Sequence, residues 1–135
     1  MRRILIVVAA VVLLAGCATA QRKDALTSTL NAYAATLRWG SFQSALKFVD
    51  PKVLQMNPPT SLDMARYQQV RVSDYDEGAG PSVVAENEVQ QVVQLHLINI
   101  HTQSERTVID RQTWRYDPEA KHWWLTSGLP NVTQD

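Results

Sequence analysis

Cysteine and unbalanced charge are what this sequence most lacks. Its 135 residues include 1 cysteine, and 13 lysine and arginine side chains balance 13 aspartate and glutamate side chains. A single cysteine excludes a disulfide framework within the chain, so packing alone must stabilise the fold. The balanced charge argues against the basic surface that nucleic-acid binding requires. We therefore expect a packed domain without a nucleic-acid partner.

Motifs for metal, phosphate and nucleophilic chemistry are also lacking. The histidines, His96, His101 and His122, form no His-x-His pair, and no second cysteine is available as a ligand. Residues 78–80 (Gly-Ala-Gly) lack the third glycine of a phosphate-binding loop, and Pro81 follows at once. No Gly-x-Ser-x-Gly elbow occurs. The sequence predicts no metal, no cofactor and no catalytic residue.

The N-terminus has the layout of a secretory signal. Arg2 and Arg3 precede residues 4–15, which carry no charged or polar side chain. This apolar run is about 12 residues long, whereas a helix needs about 20 to cross the hydrocarbon core of a bilayer. A permanent transmembrane helix is therefore not expected here.

Residues 14–17 (Leu-Ala-Gly-Cys) resemble the lipobox of bacterial lipoproteins. The resemblance implies cleavage between Gly16 and Cys17, a diacylglyceryl group on the Cys17 sulfur, and a third acyl chain on its new amino group. Two or three acyl chains hold a protein stably on a membrane. The remaining alternative is an ordinary exported protein with a free thiol, which is a liability in an oxidising compartment.

The lipobox also divides the chain and places it in the cell. We expect a signal peptide over residues 1–16, a lipidated tether over residues 17–23, and one α+β domain over residues 24–135. In lipoproteins an aspartate after the cysteine commonly retains the protein at the inner membrane, so Ala18 implies the periplasmic face of the outer membrane. At about 3.3 Å per residue the tether reaches about 20 Å, which keeps the domain close to its bilayer.

Apolar spacing predicts two helices. Apolar residues recur at helical intervals over residues 24–39, and Gly40 suits the end of that helix through left-handed geometry. Ser41 can cap a second helix, which Asp50-Pro51 is expected to end because the residue before proline avoids helical geometry.

The rest of the chain predicts antiparallel strands. Strands are expected over residues 66–74, 88–100, 106–116 and 122–127, with turns at residues 76–81, 101–104 and 117–120. Helices followed by a strand meander predict an α+β class, with N-terminal helices packed on a curved, cone-like antiparallel sheet.

This order of elements resembles the nuclear-transport-factor-like, cystatin-like superfamily, which includes ketosteroid isomerase. The resembling pieces are the helix pair over residues 33–50 with its Trp-Gly-Ser-Phe junction, and the Tyr-Asp-Pro hairpin at residues 116–118 that leads into Trp123-Trp124. The likeness covers residues 24–128. Adjacent strand residues face opposite ways, so one of the two tryptophans is expected in the core. The other is either exposed or covered by residues 129–132.

The superfamily often encloses an apolar pocket between sheet and helix. On that resemblance, the candidate lining residues are Tyr33, Leu37, Trp114 and Trp123. The competing interpretation is that these side chains simply fill the core, as aromatic residues at such spacings usually do. Isomerase-like members use an aspartate base with a tyrosine donor. Tyr33 and Asp110 supply these residue types here, but no local pattern assigns the roles to them.

Three functions follow as hypotheses. The leading one is a non-catalytic binding or assembly module, which meets an envelope protein or a second copy through its exposed sheet face. The second is a carrier of a small hydrophobic ligand in the cone. The third is an isomerase- or hydrolase-like enzyme, which requires a buried acid or base with a shifted pKa.

Overall fold

A computed structural model describes the backbone of residues 2–133 and the side chains of residues 14–133. The long N-terminal helix packs against a curled antiparallel sheet that forms a half-barrel, so the predicted α+β class is confirmed. The helices are α1 (Arg2–Trp39), α2 (Phe42–Ala45), α3 (Pro51–Met56) and α4 (Ser61–Gln68), with a 3₁₀ turn at Leu46–Phe48. The strands are β1 (Val70–Asp76), β2 (Ser82–Ala85), β3 (Glu88–Asn99), β4 (Glu105–Asp117) and β5 (His122–Leu125).

The sheet has the order β1-β3-β4-β5, and β2 also pairs with β3. Strand β3 pairs with three other strands. On one side, β1 pairs with its second half and β2 with its first residues. Strand β4 pairs with nearly its whole length. The register sets Val93 opposite Asp110 and Gln91 opposite Gln112. Since side chains alternate along a strand, both pairs point to the inner, concave face.

Helix α1 covers the inner face of the sheet. Leu30, Tyr33 and Leu37 are its buried residues there. The Tyr33 ring meets Phe48 and Trp114 edge-on, at centroid distances of 5.4 and 5.2 Å. These aromatic contacts form the centre of the core.

Helix α1 begins at Arg2, so the prediction of a start at Asp24 is wrong. Residues 17–23, expected as an extended tether, are helical and continuous with the domain. Alanine, glutamine, arginine and lysine fill most of this segment, and all four favour helix. At about 1.5 Å per residue a helical segment is less than half as long as an extended one.

Gly40 follows the last residue of α1, as predicted, but for a different reason. The glycines with positive φ among the described residues are Gly78, Gly80 and Gly128, and Gly40 is not one of them. A Cβ on Gly40 would lie 2.8 Å from the carbonyl oxygen of Thr36. Close approach, and not left-handed geometry, requires glycine at this position.

The segment after the second helix differs most from expectation. The 3₁₀ turn ends at Phe48, before Asp50-Pro51. Asp50-Pro51 instead starts α3, because the Asp50 carboxylate accepts from the Lys52 N–H and proline fits the first helical position. Helix α4 starts with a reciprocal capping box between Thr60 and Asp63. It occupies the beginning of the strand predicted from residue 66, so that β1 starts at Val70.

Strands β3 and β4 and the turn between them are confirmed to within one residue at each end. The last strand ends two residues earlier than expected, at Leu125. Strand β2 was not expected, since all four of its residues are exposed and it shows no alternation of burial.

Candidate functional site

A row of polar side chains crosses the otherwise apolar inner face. Asp110, Gln112 and Trp114 share one face of β4, and their exposed fractions are 6%, 1% and 0%. The Trp114 indole N–H donates to Oε1 of Gln112 at 3.0 Å. The Gln112 Nε2 donates to Oδ2 of Asp110 at 2.8 Å and to the Tyr75 hydroxyl at 2.9 Å. Gln112 thus ties β4 to the edge strand β1.

Two further buried polar side chains belong to the inner face. Tyr33 comes from α1, where it is fully buried, and Gln91 comes from β3, where it lies opposite Gln112. Within residues 14–133, the Tyr33 hydroxyl has no hydrogen-bond partner. A buried polar atom left unpaired costs about 1–3 kcal/mol. The Tyr33 hydroxyl therefore offers hydrogen-bonding capacity to a water molecule or to a polar group of a ligand.

We call these side chains the buried polar row: Asp110, Gln112, Trp114, Tyr75, Tyr33 and Gln91. Burial sets the protonation states of its Asp110 and Tyr33. Burial raises the pKa of Asp110 to about 6, against the opposing effect of the Gln112 hydrogen bond. Burial, followed by the Asp110 charge, also raises the pKa of Tyr33 well above its ordinary value. The Asp110 carboxyl can therefore exchange a proton near neutral pH, while the Tyr33 hydroxyl stays protonated. A carboxyl group with such a pKa can act as a general acid or base where a ligand reaches it.

The predicted pocket residues, Tyr33, Leu37, Trp114 and Trp123, are all buried, with exposed fractions of 0–3%. Tyr33 and Trp114 pack on each other in the core. Trp123 packs on Tyr116 at 5.1 Å and donates its indole N–H to the carbonyl of Arg22 at 3.1 Å. Leu37 also lines a surface groove, near Gly40. All four belong to one hydrophobic core, in which Tyr33 and Trp114 are in direct ring contact.

The sequence did carry a signal for the buried polar row. Val108, Asp110, Gln112, Trp114 and Tyr116 alternate with mostly polar residues, so Asp110 and Gln112 stand on the apolar side of that alternation. Polar residues on a core-facing side are worth attention, since most must be hydrogen-bonded. The partners Tyr75, Tyr33 and Gln91 lie on other elements, and periodicity along β4 could not identify them.

Cys17 lies exposed on α1. The helix first contacts the domain at Arg22, whose guanidinium lies 5.0 Å from the centre of the Tyr116 ring and donates to the Glu86 carbonyl at 3.4 Å. Leu14 is 71% exposed, and a Cβ on Gly16 would meet nothing within 4 Å. The described residues of the segment predicted to carry a lipobox therefore project from the domain. The side chains of the predicted signal before Leu14 lie outside the described residues.

Trp123 and Trp124 point to opposite faces of the sheet, as expected for adjacent residues of a strand. Trp123 is buried, whereas Trp124 is half-buried on the outer face beside His122, with ring centroids 4.1 Å apart. Residues 129–132 pack elsewhere: the Tyr67 hydroxyl donates to the Pro130 carbonyl at 3.0 Å, and Arg106 donates to the carbonyl of Val132.

Neither a metal site nor a membrane span is found in the part of the chain whose side chains are described. Within residues 14–133, no three histidine, cysteine, aspartate or glutamate side chains could hold a metal ion together. Over the same residues, no helix combines the length and apolar character needed to cross a bilayer.

The chain was compared with protein-family models and with curated proteins. No protein-family model matches the chain, and no curated protein matches it significantly. The residues themselves therefore carry the functional interpretation.

Proposed function

We propose that the protein is a lipoprotein of the bacterial cell envelope. Acyl chains on Cys17 anchor it, at the periplasmic face of the outer membrane, and its α+β domain is a non-catalytic binding or assembly module. One observation carries the proposal: Cys17 is exposed on a helix that projects from the domain. From Cys17 to the first domain contact at Arg22, the helix rises only about 8 Å. A lipidated Cys17 would hold the domain against its membrane.

The anchor is tested by mass spectrometry of protein purified from membranes. We expect a chain that begins at Cys17 and carries the mass of its acyl chains. Cys17→Ser should abolish both acylation and membrane retention, while Ala20→Ser, on the same helix, should change neither. A mature chain that begins elsewhere, or a wild-type protein that high salt washes off membranes, would contradict the proposal.

The proposed partner, an envelope protein or a second copy, meets the outer face of the sheet. Val92 on β3 is 48% exposed there, and Trp124 is half-buried at β5. Exposed aromatic and apolar side chains on one face are typical of interfaces. Sedimentation of the Cys17→Ser protein over a range of concentrations tests self-association. We expect a dimer that Val92→Asp disrupts, and monomer at every concentration would leave only the envelope-protein partner.

The second candidate function is binding or acid–base chemistry on a small ligand at the buried polar row. It is supported by the unpaired Tyr33 hydroxyl and by the raised pKa of Asp110, whose charge acts on Tyr33. Titration with a fluorescent fatty-acid analogue is the test, with Tyr33→Phe as the matched variant. Binding weakened by Tyr33→Phe would favour this function, whereas absence of binding by the wild type would count against a hydrophobic carrier.

A further inference from the structure

A groove lies where the C-terminal end of α1 faces the edge strand β1. It consists of two adjoining clefts of about 190 and 450 Å³, which share Gly40, Arg71 and Val72. We call it the β1 groove. It is lined chiefly by Leu37, Arg38, Trp39, Phe42, Arg71 and Val72.

The β1 groove is positively charged and lacks acidic residues. Arg38 and Arg71 line it, and no carboxylate lines either cleft. Across the described side chains, the ion pairs are Arg66–Asp63 and Arg115–Asp50, so both groove arginines are without a carboxylate partner. The groove therefore complements a ligand with negative charge.

The β1 groove also has an apolar surface. Trp39 is 80% exposed, and the Arg38 guanidinium lies 5.0 Å from the centre of its ring. Leu37, Phe42 and Val72 are buried residues that line the adjoining cleft. A large exposed tryptophan beside an apolar floor is typical of a surface that anchors an apolar side chain of a partner.

Backbone hydrogen-bonding groups are available at the same place. In the sheet of the described residues, β1 is an edge strand that pairs only with β3. An edge strand presents unpaired N–H and C=O groups to which an extended peptide can add. The register of β1 shifts between Val72 and Asp74, so regular pairing is available at residues 70–72. The geometry suits a short extended segment.

The position of the β1 groove favours a protein over the bilayer. Along α1, Cys17 and Trp39 are separated by 22 residues, which corresponds to about 33 Å of helix. If Cys17 is acylated, the groove lies about 33 Å along the helix from the anchored residue. The choice of a protein partner depends on the proposed anchor at Cys17. The charge and the shape of the groove are independent of that anchor.

We propose that the β1 groove binds an extended segment of a partner protein, with acidic residues on both sides of one large apolar residue. The apolar side chain would pack on Trp39 and Val72. The acidic side chains would meet Arg38 and Arg71, and the backbone would pair with residues 70–72 of β1. The groove would then be a partner site separate from the outer face of the sheet.

Fluorescence anisotropy tests the proposal on the full mature protein in detergent. The probe is a labelled peptide, Glu-Asp-Ser-Phe-Asp-Glu, and its counterpart has lysine in place of every acidic residue. We expect saturable binding of the acidic peptide alone, weakening as salt rises. Arg38→Gln with Arg71→Gln should reduce affinity about tenfold or more, and Trp39→Ala about fivefold.

Lys23→Gln, which removes an exposed cation of α1 outside both proposed partner surfaces, is the matched control and should leave affinity unchanged. All variants are checked for an unchanged thermal midpoint. Absence of binding by the wild type, equal binding of the lysine peptide, or no effect of the groove variants would overturn the proposal. Displacement of the peptide by anionic phospholipid vesicles, lost with the same variants, would reassign the groove to a membrane. Acylation of Cys17 is measured separately, so failure of the anchor and failure of the groove are distinguishable.

Discussion

At the scale of single residues, Gly40 shows how one missing Cβ allows α1 to end. The Gly40 N–H donates to the Thr36 carbonyl at 2.9 Å, and an added Cβ would lie 2.8 Å from the same oxygen. Because that oxygen belongs to the backbone, it cannot move aside cheaply. We expect Gly40→Ala to reduce the free energy of unfolding by about 1–2 kcal/mol.

Urea denaturation of the unprocessed Cys17→Ser chain measures this change. Gly16→Ala is the control, since its Cβ meets nothing within 4 Å and alanine favours helix. Equal stabilities of the two alanine variants would show that the contact at Thr36 relaxes without cost.

Asp110 is the residue from which we expect a pH-dependent stability. Its pKa rises from an ordinary value of 3.8 to about 6 in the folded protein. Between those two values the unfolded chain is ionised at Asp110 and the folded chain is protonated. The contribution of Asp110 is therefore fully favourable below about pH 4, declines as the pH rises, and is lost above about pH 6. The total loss is about 3 kcal/mol.

Unfolding free energies of the wild type and Asp110→Asn, measured from pH 4 to pH 7, test this expectation. From pH 4 to pH 7 the unfolding free energy of the wild type should fall relative to that of Asp110→Asn. Taking the difference removes the contributions of other carboxyl groups. Parallel curves would show that Asp110 is ionised at its ordinary pKa in the fold.

At the scale of elements, Asp50 joins helix α3 to strand β4. Its Oδ1 accepts from the Lys52 N–H at 2.9 Å, and its Oδ2 accepts from Nη2 of Arg115 at 2.8 Å. Burial by itself would raise the Asp50 pKa, but the Arg115 and Lys52 contacts outweigh it and lower the pKa below its ordinary value. The stability that the ionised Asp50 gains from these contacts is present near neutral pH, and it disappears as the pH falls through the lowered pKa.

We expect Asp50→Ala to cost about 2–3 kcal/mol, because it removes a helix cap and leaves Arg115 without its partner. Arg115→Gln should cost about 1 kcal/mol, since the arginine is partly exposed. The double variant should be less destabilised than the sum of the two, as urea denaturation would show. Strict additivity would mean that the ion pair contributes nothing beyond the cap.

Helices and strands could be predicted from the sequence where a regular spacing of apolar residues continues over many positions and marks one buried face. Residues 24–39 and strands β3 and β4 satisfy that condition, and their type was predicted correctly. Helices α3 and α4 have no buried residue, and β2 is exposed throughout. Such short elements lack a complete apolar face, so caps and neighbouring strands determine them, and those are weak signals in a single sequence.

At the scale of the whole molecule, the region around Arg22 couples the projecting part of α1 to the sheet. Arg22 contacts the Tyr116 ring and the Glu86 carbonyl, and its own carbonyl accepts from Trp123. We expect Arg22→Ala to reduce stability by about 1 kcal/mol and to accelerate hydrogen exchange in residues 18–23. Lys23→Ala, an exposed neighbour, should stay within about 0.5 kcal/mol of the wild type. Unchanged exchange in Arg22→Ala would mean that the helix forms without support from the domain.

The sequence by itself determined the α+β class, the hairpin of β3 and β4 and the end of α1 near Gly40, because each follows from patterns among residues close along the chain. The tertiary structure alone decided which distant residues meet. Gln112 reaches Tyr75 across 37 positions, and the β1 groove joins the end of α1 to an edge strand. Such contacts depend on strand register and on how a helix lies across a sheet, and both follow from burial of the whole core at once.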